Sequence, residues 1–122
     1  MAQSIFQRYG GFASISRVVS AFYDKALESP LLSPYFADSD MRKLIDHQTK
    51  FISALMGGPA SYSDEELERV HRHLDITERD FEEMVMLLKE TLEDFDFEMS
   101  DIAAVQGEIT RRKRYIVSRS AA

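Results

Sequence analysis

Apolar residues recur along most of this chain at intervals of three and four, and nowhere do they alternate with polar ones over a run long enough for a strand. The pattern predicts an all-α fold of five or six helices punctuated by Gly and Pro. A short helix around Ser4 to Tyr9 ends at Gly10-Gly11, where glycine suits a helix C-terminus. A second runs from about Phe12 to Glu28, with Phe12, Ile15, Val19, Phe22 and Ala26 on one face, until "ESPLLSPYF" breaks it at Pro30 and Pro34. The third occupies "DMRKLIDHQTKFISALMGGP", Asp40 to Pro59. In "SYSDEELERVHRHLDIT", Ser63 and Glu66 have capping-box spacing, which starts a short fourth helix. Thr77 with Asp80 opens a long fifth, carrying Phe81, Met84, Val85, Leu88, Leu92 and Phe95. Ser100 is expected to cap a sixth, with Ile102, Val105, Ile109 and Ile116 inward. No repeat, low-complexity tract or linker divides the chain, so residues 1–122 are expected to form one domain.

Three polar side chains interrupt these apolar stripes. At about 100° per residue, Met41, Leu44, Ile45, Ile52 and Leu55 form one face of the third helix with Gln48 at its centre. An unpaired buried amide costs roughly 1–3 kcal/mol, so a side chain, a water or a ligand must satisfy it. In the fourth helix Leu67, Val70, His71 and Leu74 stand at i, i+3, i+4 and i+7, which turns His71 inward and His73 outward. Alone, His71 reads as a core histidine bonded to a carbonyl, and Tyr23, beside Phe22, as a packed core tyrosine. Three such groups on three helices of one small core are better explained by a shared site. His47 lies about 100° from the stripe centre, toward Leu44 and Phe51, and reads equally as a pocket-margin or a surface residue.

Composition narrows the chemistry. The chain has 122 residues, 44% of them hydrophobic, and so is long enough to bury about two thirds of its unfolded surface around a pocket. A formal net charge of −6 argues against a phosphate-backbone binder. The basic cluster "RRKR", Arg111 to Arg114, reads as a solvated helix end, and "SDEELE" and "LEDFDFEMSD" as solvated acidic faces without calcium-loop spacing. Without cysteine there are no disulfides, thiolate metal sites or Cys nucleophiles. No zinc-protease, phosphate-loop, serine-hydrolase or di-iron motif is present. No apolar run approaches the roughly 18 residues of a membrane span, and no secretory leader is visible, so no membrane association and a cytoplasmic location are expected.

The order "RYGG", "FYDKAL", "YF", "HQTKFISALMGGP", "VHRHLDIT" resembles the truncated, two-over-two haemoglobins over nearly the whole chain, and most of all their group I branch. The resemblance implies a truncated globin fold holding non-covalent haem b. His71 then matches the proximal iron ligand, Phe36 the phenylalanine packed on the haem, Tyr23 and Gln48 the distal donors, and Phe51 a ligand-tunnel position. Leu44 takes a second distal position, and Phe81, Met84 and Leu88 would line the haem face. Lys43 and Arg72 are candidates for the propionates. In cyanobacterial relatives a histidine at the His47 position is a second iron ligand; here the 100° offset would require the third helix to rotate. Some relatives bind haem covalently through a last-helix histidine, and "DIAAVQGEITRRKRYIVSRS" contains none.

The resemblance implies a globin that binds O2, CO or NO at ferrous iron for storage, delivery or sensing. The same residues would serve nitric oxide dioxygenation with an external reductase, because the chain has no flavin or nicotinamide motif. A haem-free all-α interaction module is the third reading, and it leaves Tyr23, Gln48 and His71 unrelated.

Overall fold

The computed structural model describes residues 3–60, 63–71 and 74–117; Arg72 and His73 lie outside them, as does the Val70 side chain. Seven α-helices are present among the described residues: α1 (Ile5–Arg8), α2 (Gly11–Glu28), α3 (Met41–Leu55), α4 (Asp64–His71), α5 (Glu78–Asp94), α6 (Met99–Arg111) and α7 (Lys113–Ile116). A 3-10 turn, Ser33–Phe36, lies between α2 and α3. Helix α2 packs on α3 and α5, α5 packs on α6, and α3 reaches α6, so the α2–α3 pair lies against the α5–α6 pair. Short α4 leans on α7 beside this sandwich. Ile15, Val18, Val19, Leu92, Val105 and Ile109 are almost wholly buried between the pairs.

The helix starts follow local side-chain chemistry. Ser4 makes a full capping box with Gln7, Asp40 accepts from the amides of Arg42 and Lys43, Ser63 from Glu66, and Thr77 from Asp80. Helix α3 ends at Met56 in a Schellman arrangement: the Gly58 amide bonds the Ser53 carbonyl at 2.8 Å and the Gly57 amide bonds Ala54 at 3.1 Å. Gly57 takes φ +81°, and a Cβ on Gly58 would sit 2.7 Å from the Phe6 ring, so neither position accepts a side chain without a shift. The Phe6 amide bonds the Met56 carbonyl and docks α1 onto this corner.

Four expectations need correction. The sixth helix begins after Glu98, not at Ser100, and breaks at Arg112 instead of running on to Ile116. Phe12 and Phe95, expected inward, are 43% and 36% exposed, because each sits at a helix end where its stripe runs off the core. The "RRKR" cluster is not simply solvated: Arg112 pairs with Asp64 and Glu108, and Lys113 pairs with Glu78 at 3.4 Å. Nor is "LEDFDFEMSD" wholly a solvated face, since Phe97 is buried with its ring stacked 3.7 Å from that of Tyr9, and Asp101 is only 7% exposed.

Asp101 ties the first helix to the sixth. Arg8 donates to both of its oxygens, at 2.9 and 2.6 Å, and the Tyr9 hydroxyl donates at 2.6 Å while accepting from the Glu98 amide. The Arg8 and Tyr9 hydrogen bonds hold the Asp101 carboxyl below its ordinary range despite burial. A depressed carboxyl stabilises the fold above its unfolded pKa, near about 3.9, and loses that contribution as pH falls through the folded value. Asp101→Asn should therefore lower the thermal midpoint at neutral pH, with the gap from wild type closing below about pH 4. A gap that stays constant from pH 7 down to about pH 2.5 would count against this linkage.

Candidate functional site

One cavity runs between the helices, with about 960 Å³ of space between atoms including its opening to solvent. Its walls are mostly aliphatic and aromatic, and the polar side chains in them are Tyr23, Tyr35, Gln48, His71 and Asp80. Helix α2 supplies Tyr23, the 3-10 turn Tyr35 and Phe36, α3 Leu44, Gln48 and Phe51, α4 His71, and α5 Asp80, Phe81, Met84 and Leu88. Phe51, Phe81 and Leu88 are among the buried core, so cavity wall and fold core are partly the same residues.

His71 is the last residue of α4, and its Nδ1 lies 2.7 Å from the Leu67 carbonyl one turn earlier. A carbonyl only accepts, so this contact assigns the proton to Nδ1 and the lone pair to Nε2. Burial lowers the His71 pKa and outweighs the opposing effect of that hydrogen bond, so the ring is neutral at physiological pH. Neutral imidazole with its second nitrogen bonded to a backbone oxygen is the form that ligates metals. No group of three or more His, Asp or Glu among the described residues is placed to hold a metal ion. An apolar cavity that presents one neutral imidazole fits an iron porphyrin, which carries most of its metal's ligands itself.

Tyr23 is buried, its ring edge-on to Phe22 at 5.0 Å and to Phe36 at 5.4 Å. These two contacts fix the phenol's orientation in the wall. Gln48 is half-buried, one turn after Leu44 on the cavity face of α3. The structure thus brings together Tyr23, Phe36, Leu44, Gln48, Phe51, His71, Phe81, Met84 and Leu88. It does not bring His47 or Lys43 to the cavity: both are exposed on α3, and neither is in the wall. For His47 the cause is the one-residue, 100° step from Gln48. Arg72 lies outside the described residues. Tyr35 and Asp80 were missed as site residues, since Asp80 has the spacing of a helix-start residue and Tyr35 lies in a proline-broken loop. The only sequence signal for Tyr35 was its place in "YF".

The sequence pattern of the bacterial-like globins matches residues 4–118. A group 1 truncated haemoglobin of Chlamydomonas moewusii is 26% identical over 117 residues, covering 94% of this chain and 68% of that protein. The group 1 truncated haemoglobin GlbN of Mycolicibacterium paratuberculosis is 35% identical over 78 residues, covering 64% of this chain and 57% of its own length. Against this second relative, then, the chain spans little more than half. The crystal structure of the Tetrahymena pyriformis truncated haemoglobin, Fe(III) form, superposes with a TM-score of 0.87 at 23% identity, covering 96% of this chain and 100% of that one. The chain belongs to the bacterial-like globin family and, within it, to the group I truncated haemoglobins, with their two-over-two fold. As such it is a haem-binding globin. No helix of the described residues is long and apolar enough to cross a membrane.

Proposed function

We propose that this chain reversibly binds O2 and similar diatomic gases on exchangeable haem b, with His71 as the proximal ligand and Tyr23 and Gln48 as the donors facing the gas. The observation that carries the reading is the His71 imidazole, neutral and oriented by Leu67, opening onto an apolar cavity whose α2–α3 side holds a phenol and an amide. Haem would supply a ferrous iron able to take up a diatomic gas. His71 would hold that iron through Nε2, its basicity raised by the Nδ1 hydrogen bond. Tyr23 and Gln48 would donate to the partly anionic outer atom of the gas and slow its departure. Apolar neighbours such as Phe51 and Met84 would keep bulk water out. The exposure of His47 favours leaving that residue outside the iron's coordination, and the absence of histidine from α6 and α7 favours haem held without a covalent bond.

The test is the rate of oxygen release from the reduced protein. Tyr23→Phe and Gln48→Leu should each speed release by about tenfold, the factor that ~1.4 kcal/mol of hydrogen bonding represents. Unchanged release in both variants would remove these two residues from the role.

A further inference from the structure

The segment between α2 and α3 forms a strap that lines the cavity through Leu32, Tyr35 and Phe36, and its own backbone hydrogen bonds are local. The Leu32 and Ser33 amides bond the Ser29 carbonyl, and the Tyr35 amide bonds Leu32. Pro30 and Pro34 restrict φ along it. Two hydroxyl–carboxylate hydrogen bonds tie it to α5. The Ser29 hydroxyl donates to Glu83 Oε2 at 2.8 Å, and the Tyr35 hydroxyl donates to Asp80 Oδ2. Asp80 and Glu83 are three residues apart and share one face of α5.

The two ties differ in place. Tyr35 and Asp80 are both in the cavity wall, whereas Ser29 and Glu83 are not. Each member of the first pair is also followed directly by an aromatic wall residue, Phe36 after Tyr35 and Phe81 after Asp80. Asp80 is the third residue of α5, where an acid commonly closes a capping box on the N-cap amide. Here only half of that box is made, by Thr77 accepting from the Asp80 amide, and the Asp80 carboxylate is turned to Tyr35.

We infer that the Tyr35–Asp80 hydrogen bond is a latch that holds the strap, and Phe36 with it, against α5 and so sets how fast the cavity's occupant leaves. Any exit that lifts the strap must first break this charge-assisted bond, which is stronger than a neutral one. The inference rests on the haem reading above for the identity of the occupant. Tyr35 and Asp80 act as positioning residues, without ligating or reacting.

Haem-loaded wild type, Tyr35→Phe, Asp80→Asn and Ser29→Ala would be mixed with excess apomyoglobin and the haem transfer timed. Hydrogen exchange of the Ser33, Tyr35, Phe36 and Ala37 amides, the exchangeable ones of residues 33–37, would be followed in the same four proteins. Tyr35→Phe keeps the ring and should release haem about tenfold faster, the loss of ~1.4 kcal/mol of bonding. It should also speed exchange at residues 33–37. Asp80→Asn retains a neutral acceptor and should fall between it and wild type. Ser29→Ala should stay within about twofold of wild type for haem loss even where it lowers the melting temperature, because its lost bond lies outside the wall. Haem loss unchanged in Tyr35→Phe, or raised equally by Ser29→Ala, would overturn the latch. Failure of wild type to take up haem at all would instead defeat the haem reading, and exchange at 33–37 would still decide whether Tyr35 holds the strap: unchanged exchange in Tyr35→Phe overturns it.

Discussion

His71→Gly is expected to strip the protein of its hold on haem, weakening affinity by more than about 100-fold, since even the outer partners of a metal ligand are worth roughly 10–100-fold. The reason lies in the inventory of the cavity: among the described residues no other histidine, and no cluster of metal-binding side chains, lines it. The fold should survive the change. His71 is the terminal residue of α4, where glycine costs at most about 1 kcal/mol of helix propensity. Free imidazole added to the buffer should enter the vacated space and restore the haem spectrum, an outcome that general damage to the fold would not allow. Acid should act on the same residue. Its pKa is lowered by burial, so the unfolded chain binds the proton more readily, and the stability of the apoprotein should fall as pH drops below about 6.5, the unperturbed histidine value. That fall should be smaller in the His71→Gly apoprotein than in the wild-type apoprotein, as measured by thermal unfolding.

Ile15→Ala is expected to be the most damaging change outside the site. Ile15 is fully buried on the inward face of α2 and is not part of the cavity wall, so its methyl groups touch packed core alone. Truncating such a side chain costs about 2–5 kcal/mol, because lost transfer energy and an unfilled cavity add. Against a typical total of about 5–15 kcal/mol this is a large fraction, and it should lower Tm by roughly 10–20 °C. Met86→Ala, at a residue 49% exposed, is the matched control and should stay within about 0.5 kcal/mol of wild type. Guanidinium unfolding followed by circular dichroism measures both. Equal effects of the two substitutions would mean that the core is not where the α2–α3 and α5–α6 pairs place it.

The residues that could be read directly from the chain are those whose chemistry is local. Ser63 and Thr77 cap helices by bonds to amides three residues on, so their spacing announces them, although the same kind of signal at Ser100 misplaces the start of α6, which Glu98 begins. Helical period likewise puts Gln48 at the centre of its stripe, where the cavity lies, but leaves its neighbour His47 open between pocket margin and surface, and the structure exposes it. The features that stayed hidden depend on partners far along the chain. Glu98 begins α6 because the Tyr9 hydroxyl, 89 residues away, accepts its amide hydrogen, and Asp101 is drawn inward by Arg8. Arg112 ends the same helix while its guanidinium reaches back to the Glu108 carbonyl at 2.8 Å and across to Asp64. Asp80 has the spacing of a helix-start residue, and only the approach of the strap reveals that its carboxylate serves Tyr35. Periodicity reports which way a side chain faces; it carries no record of what meets it there.

The role of His71 is tested most directly by a haem titration of the purified wild-type chain beside His71→Gly, followed by the visible spectrum after reduction with dithionite. Wild type should take up one haem per chain and show a single broad visible band from five-coordinate ferrous iron, and His71→Gly should show neither until imidazole is added. A wild-type protein that stays colourless, or a His71→Gly variant that binds haem as tightly and with the same spectrum, would contradict that role.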